Sequence, residues 1–341
     1  MSGILAGLLS AALFGASTPI SKVFLSSLTP FQLAGLLYLG AALGTFLFAA
    51  TSNPAEALRR VDRRNWLRLG GATLFGGCLA PVLVLLGLRL AGAGSVSLML
   101  NLEIAATAAL GVVFFREHIH ARGVVGILGV FGVGVLLAGG EGAPGPLAGL
   151  AVAGACLAWG IDNNLTALID GITPSGTAFF KGMIGGVANL TIGLLVAPLD
   201  VTWMTLALVL LVGALSYGAS IVLYISSAQQ LGATRAQGLF ASAPFIGAIL
   251  SFAFLREALS PVHLVAAALL IASVVLIMRS EHVHAHVHEP MEHVHRHRHD
   301  DHHQHEHVDI DTTESHMHVH LHEELVHVGG HYSDLHHRHS H

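Results

Sequence analysis

The chain has 341 residues, 53% hydrophobic and only 11% charged, with a formal net charge of −5 and a mean hydropathy of +0.67. A water-soluble domain carries about 25% charged residues, so this composition excludes one. The charge is also divided: residues 1–280 hold 9 acids and 13 bases, a formal +4, whereas residues 281–341 hold 12 acids and 3 bases, a formal −9, and 22 of the 25 histidines, which marks a membrane part followed by an aqueous tail.

A helix needs about 20 apolar residues to cross a bilayer, and ten segments meet that demand. The first, Gly3–Leu25, starts without a basic leader, carries Ser17, Thr18, Ser21 and Lys22, and is followed closely by the second, Phe31–Ala50. It therefore reads as a retained helix and not as a signal peptide. The third and fourth are Trp66–Leu88 and Ser95–Phe115. The fifth, Val124–Ala138, is short and is marked by Gly123, Gly126, Gly129 and Gly132 at every third position. Small residues at helical spacing let backbones approach, so a tightly packed, interior-facing helix is expected there. Leu147–Ile169, Gly176–Leu195, Met204–Tyr224, Ala236–Leu255 and Val262–Met278 complete the set. Thr29–Pro30, Asn53–Pro54, Pro144–Gly145–Pro146, Thr173–Pro174, Pro198 and Ser260–Pro261 supply the breaks between them. Cys78 and Cys156 both lie in apolar runs and offer no disulfide framework.

Loop charges give the orientation. With ten crossings, Arg59, Arg60, Arg63, Arg64, Arg68, Arg116, Arg122, Arg235 and Arg279 fall on one face, against Arg89 and Arg256 on the other. The basic face is the cytoplasmic one, which puts both termini in the cytoplasm of a protein of the cell or inner membrane; a nine-helix arrangement would instead put the His-rich tail outside.

The two halves repeat. Residues 108–117 (Ala-Ala-Leu-Gly-Val-Val-Phe-Phe-Arg-Glu) and 248–257 (Ala-Ile-Leu-Ser-Phe-Ala-Phe-Leu-Arg-Glu) share Ala, Leu, Phe, Arg and Glu at an offset of 140. Phe14-Gly15 leading to Thr29–Pro30 is echoed by Trp159-Gly160 leading to Thr173–Pro174. Five helices are an odd number, so the second copy is inverted, and such repeats place a substrate site near the midplane between them. The expected fold is all-α, with ten transmembrane helices as two inverted five-helix repeats over 1–140 and 141–280, and a His-rich tail over 281–341 that is disordered without metal.

Ala12-Leu13-Phe14-Gly15 through Lys22, Phe115-Arg116-Glu117-His118, Ala158-Trp159-Gly160, Pro244 and Leu255-Arg256-Glu257-Ala258 together resemble the drug/metabolite transporters with two EamA-type domains. The resemblance covers residues 1–280. It implies ten helices, cytoplasmic termini and secondary transport, usually export of small metabolites. The chain departs from the pattern in having Phe14 where the family often has Trp, and Asn101-Leu102-Glu103 near the place where the second half keeps Pro244.

Ionisable side chains inside a bilayer cost at least about 2.5 kcal/mol each at a helix centre. Four stand out: Glu103, Asp162, Lys22 and Lys181, whose charges sum to zero. Lys22 and Lys181 lie near helix ends and can snorkel, and Asp162 can pair with Lys181. Glu103 is too deep to snorkel, and burial favours the neutral form of a carboxyl, which suits a proton carrier. Asn101, Asn163 and Trp159 flank these groups. Lys181, Gly185 and Asn189 share a helix face, either as room for a solute or as a stripe packed against Asp162 and Asn163. Glu117 and Glu257 read as helix-end residues.

The tail alternates His282, His284, His286 and His288, then His293, His295, His297 and His299, and later His316, His318, His320 and His322. Neutral imidazoles on one side of an extended chain suit zinc or nickel. No nucleotide loop, nucleophile triad or zinc-hydrolase motif is present, so neither an enzyme nor a required cofactor is expected. The partners implied are a small-molecule solute, the lipid bilayer and divalent metal ions at the tail, without nucleic acid, and a homodimer is left open. Three readings follow: a secondary exporter of a small organic metabolite by alternating access with room for proton coupling; a divalent metal (Ni, Co or Zn) exporter whose tail collects or senses the ion; and a non-transporting membrane protein that stores or senses metal.

Overall fold

The computed structural model of the chain describes residues 2–49, 62–115, 121–139, 145–169, 172–231, 233–278, 283–288, 291–297, 316–322 and 325–330. Over the membrane part these form ten helical segments. α1 is Gly3–Phe24 and α2 is Pro30–Ala49. α3 runs as Arg63–Ala72, a π-helical turn Thr73–Leu79 and Ala80–Leu90. α4 is split into Ala93–Met99 and Leu102–Phe115. α5 is Ala121–Gly139, α6 is Pro146–Thr166 and α7 is Pro174–Val196. α8 runs as Trp203–Gly213, a π-helical turn Ala214–Ala219 and Ser220–Leu231. α9 is split into Ala233–Phe240 and Ala243–Phe254, and α10 is Pro261–Met278.

Local chemistry sets the ends. Ser2, Asp62, Thr173 and Thr202 each accept a hydrogen bond from a first-turn backbone N–H of the helix they precede. Pro30, Pro146, Pro174 and Pro261 open four helices at the position where a missing N–H costs nothing. Thr29 and Gln32 form a reciprocal box, Gln32 N donating to Thr29 Oγ1 (3.2 Å) and Thr29 N to Gln32 Oε1 (3.0 Å). Eight of the segments are long and apolar enough to cross a membrane, and Pro30–Phe46 is a shorter apolar one. The tenth, α6, has 21 residues, about 31 Å of helix, but its second half carries Asp162, Asn163, Asn164 and Thr166.

The inverted repeat is visible in the backbone itself. Both π-helical turns interrupt the third helix of a half, and both splits, Leu100–Asn101 and Ala241–Ser242, interrupt the fourth. The first helix of each half packs on the other half: α1 lies against α8 and α9, and α6 against α3 and α4. α2 with α7 and α5 with α10 pair across the middle. Without a hydrophobic drive between helices in lipid, close approach must come from small residues. Gly182 and Gly186 on α7 accordingly face Tyr38, Leu39 and Ala42 of α2.

Two expectations need correction. The fourth and ninth segments are not continuous helices; each breaks at mid-length, a feature that an unbroken apolar run does not reveal. α5 is tightly packed on one side, as expected, but its other side faces outward. Gly126 and Gly129 press on Ser273 and Ile277 of α10, yet Gly132 has no neighbour within 4 Å and Val124, Val125, Leu128 and Val135 face outward. Val130, Val133 and Leu137 are buried and Gly134 presses on Leu102 of α4, so α5 packs on α4 and α6 as well as α10 and leaves one face outward.

In the tail, Val283–His288 pairs antiparallel with Leu325–Gly330, and Met291–His297 with His316–His322. The side chains of these strands fall outside the described residues.

Candidate functional site

The split in α4 positions the site. Glu103 is in the first turn after the break, and its Oε1 accepts a hydrogen bond from Asn163 Nδ2 on α6 at 2.9 Å. The same amide donates to Thr107 Oγ1, one turn farther along α4, at 3.1 Å. Gly160 makes this contact reachable, because a Cβ there would lie 3.1 Å from the backbone of Ala106 and Thr107. Asn164 then ties the helices together, donating to Gly160 O and Thr107 O.

Asn163 is exposed, and the direction of that exposure matters. At 100° per residue it lies roughly 120–140° round α6 from Leu150 and Leu157, the outward-facing leucines. Its open side therefore faces the interior between the halves and not lipid. An aromatic chain lines that interior. Tyr38 on α2 stacks near Tyr217 on α8 (5.8 Å), Tyr217 meets Phe14 on α1 edge-on (5.5 Å), and Phe14 leads to Phe240 (5.2 Å) and on to Tyr224 (5.3 Å). Trp159, 9% exposed, lies at the Tyr38 hydroxyl. Tyr38 Oη donates to Gly76 O at 2.6 Å and Tyr217 Oη to Ser17 Oγ at 3.4 Å.

Asp162, one position before Asn163, points to a different neighbour. Lys181 Nζ on α7 donates to both of its oxygens (2.7 and 2.6 Å), and Thr166 adds a third bond at 2.9 Å. The carboxylate rests on the bare Cα of Gly76 in the π-helical turn of α3. Asn189 Nδ2 donates to Gly77 O and Cys78 O in that turn, both at 3.2 Å. A π-helical turn frees carbonyls that lipid cannot satisfy, and Tyr38 and Asn189 satisfy three of them.

The site residues expected from sequence thus sort into groups. Glu103, Asn163 and Trp159 line one interior. Asp162 and Lys181 pair, as anticipated. Gly185 presses against Gly77, so the Lys181–Gly185–Asn189 face is the packed stripe and holds no room for a solute. Asn101 is fully buried at the break, with Nδ2 donating to Leu98 O, and does not reach Glu103 through any described bond. Lys22 is remote, donating to Leu88 O and Ala91 O at the far end of α3. Glu117 and the tail histidines lie outside the described side chains. No group of three metal-ligating side chains occurs among the described residues. Sequence reasoning missed Thr107 and the aromatic chain. The available signal was that three of the chain's four tyrosines, Tyr38, Tyr217 and Tyr224, fall inside membrane segments, where each hydroxyl needs a partner.

The EamA-like transporter family model matches residues 1–139 and again 147–279, the two structural halves. The chain belongs to that family. As an EamA-like protein it is similar to an uncharacterized transporter of Methanothermobacter thermautotrophicus, 30% identical over 275 residues that cover 72% of this chain and 77% of the relative. A protein of known crystal structure shares the fold, with a TM-score of 0.53 at 16% identity, over 80% of this chain and 94% of that one. This EamA-like protein is a membrane transporter.

Proposed function

We propose that this EamA-like transporter is a secondary active exporter that moves a small organic metabolite by alternating access, with Glu103 as the group that exchanges protons. The observation that carries the reading is the contrast between its two deep carboxyls. Asp162 is bound to Lys181 and built into the α3–α6–α7 packing. Glu103 makes no ion pair among the described residues and is held only by the neutral Asn163, facing the aromatic-lined interior. A carboxyl held by a neutral donor can take and release a proton without breaking an ion pair. The aromatic faces supply contact area for an apolar part of a solute, and Asn163 and Thr107 supply polar contacts.

The test is a flux screen in proteoliposomes over metabolites and divalent metals, with and without a pH gradient. Uphill metabolite flux driven by the gradient in wild type, and its loss in Glu103→Gln, is the expected result. Gradient-driven flux unchanged in that variant removes Glu103 from the coupling. The second reading, divalent metal export, draws on the 22 tail histidines, and metal flux in the same screen that falls on deleting residues 281–341 would favour it. The core's own histidines are His118, His120 and His263, all near helix ends, which ranks the organic solute first.

A further inference from the structure

The turn between α3 and α4 leaves the last carbonyls of one helix and the first N–H groups of the next without helical partners. Both sets are occupied by charged side chains from elsewhere. Lys22 Nζ donates to Leu88 O at 2.6 Å and to Ala91 O at 2.7 Å. Glu257 accepts from Ala93 N at 2.6 Å through Oε1 and from Gly94 N at 2.8 Å through Oε2. Each sign suits the helix end it meets, the cation on carbonyls and the anion on N–H groups. Beside them Ser95 Oγ meets His263 Nε2 at 2.9 Å.

The owners of these groups matter. The gripped turn lies where two helix groups meet. α3 and the second half of α4 pack with α6, whereas Ala93–Met99 packs chiefly on α9 and also on α1. Lys22 on α1 and Glu257 in the α9–α10 turn come from that second group. Arg256 holds φ at +54°, a conformation rare for an L side chain, immediately before Glu257 in the turn. All these contacts lie at the face opposite the chain ends. The interior is open at Asn163, which is in the half of α6 nearer the chain ends. The parts also belong to the repeated unit in sequence: Glu257 recurs as Glu117 and Gly92-Ala93 as Gly232-Ala233, both at an offset of 140, whereas Lys22, aligned through Phe14-Gly15 and Trp159-Gly160 at an offset of 145, falls opposite Ala167 and has no basic counterpart.

We propose that Lys22 and Glu257 are the two jaws of a latch on the α3–α4 turn, which holds shut the face opposite the chain ends and must release in every cycle. The inference rests on the transporter reading but needs no known solute. The test uses full-length protein in proteoliposomes, with Cys78→Ser and Cys156→Ala as background and Asn163→Cys as reporter. A membrane-impermeant maleimide is applied to one face at a time. With the latch intact, labelling proceeds from the face bearing the chain ends. Lys22→Met and Glu257→Gln, on different elements, should each raise labelling from the opposite face on the order of tenfold, because removing half of the grip shifts the population toward the open form. A third arm, Gly92→Cys with Glu257→Cys, should lose far-face labelling but keep near-face labelling when bridged by a short bifunctional thiol reagent, the retained near-face labelling showing that the reporter thiol was not itself consumed. Retained near-face labelling with no far-face gain in either single variant overturns the latch. Should both variants fail to label at all, the bridged pair decides, and far-face labelling indifferent to the bridge overturns it. Failure of the transporter reading itself would look different: accessibility would still change, but no solute would cross.

Discussion

Asp162 on α6 and Glu103 on α4 are both acids within membrane segments, yet their substitution should have opposite signatures. Asp162 is 4% exposed and neutralises Lys181, so Asp162→Asn leaves a buried ammonium without its counter-charge. Breaking one side of such a pair costs about 3–5 kcal/mol. Asp162→Asn should therefore lower thermal stability in detergent strongly, and adding Lys181→Met should restore much of it. Stability unchanged in the single variant would show that the pair contributes nothing to folding. Glu103→Gln keeps the hydrogen bond to Asn163 and should leave stability nearly unchanged while flattening the pH dependence of transport. A wild-type pH profile in that variant would assign coupling elsewhere. The presence of both acids was legible in the sequence, because a carboxyl in an apolar run is conspicuous. The Asp162–Lys181 pair was legible too, whereas the bond from Asn163 to Glu103 was not, since it depends on how α4 approaches α6.

At the scale of the element, the π-helical turn of α3 is the feature most dependent on its surroundings. Its freed carbonyls at Gly77 and Cys78 are met by Asn189, and Gly76 gives Asp162 its seat. Asn189→Leu keeps the branching at Cγ but leaves those acceptors unpaired, at about 1–3 kcal/mol. Gly76→Ala drives a methyl into the Asp162 carboxylate, and overpacking of this kind costs about 1–3 kcal/mol. Both should reduce the melting temperature in detergent, and Gly76→Ala should also weaken the Asp162–Lys181 pair. Equal stability of Gly76→Ala and wild type would mean that the carboxylate moves aside freely. The helices themselves were readable from length, apolarity and the Thr–Pro and Asn–Pro breaks. The π-helical turn of α3 was not, because its carbonyls are satisfied by Tyr38 and Asn189, far away in sequence. Nor were the splits in α4 and α9, which Asn101 and Ser242 cap locally at Leu98 O and Leu239 O and which lie inside unbroken apolar runs.

Across the whole molecule, the arginine distribution predicts that both termini face the cytoplasm. Impermeant thiol labelling of a cysteine placed at position 52 and of one placed in the tail should then report the same side of the cell membrane. Labels from opposite sides would sink the ten-crossing arrangement. The tail carries its own expectation. Full-length protein should bind several Zn²⁺ or Ni²⁺ ions at neutral pH, and protein truncated after residue 280 should not. The affinity should fall as pH drops through roughly 6.5, where unperturbed imidazoles protonate and cease to be ligands. Equal metal binding by both forms would remove the tail from the account.

What the sequence determined by itself was whatever depends on solvent and on short-range geometry: a membrane part from low charge and high apolarity, its helical segments from the apolar runs, and two halves from repeated motifs. The bilayer imposes these one segment at a time, so they can be read one segment at a time. The tertiary structure alone decided which polar groups meet. Glu257 reads as an ordinary helix-end acid, and only the packing of the α9–α10 turn against α3 and α4 shows it gripping Ala93 and Gly94. Likewise five aromatic residues from four helices become one wall only when α1, α2, α8 and α9 converge. Hydrogen bonds and ring contacts act over a few ångströms, and the chain separations that bring these partners together reach beyond 150 residues. No local pattern can encode such a meeting, because it is fixed by how whole helices fit side by side.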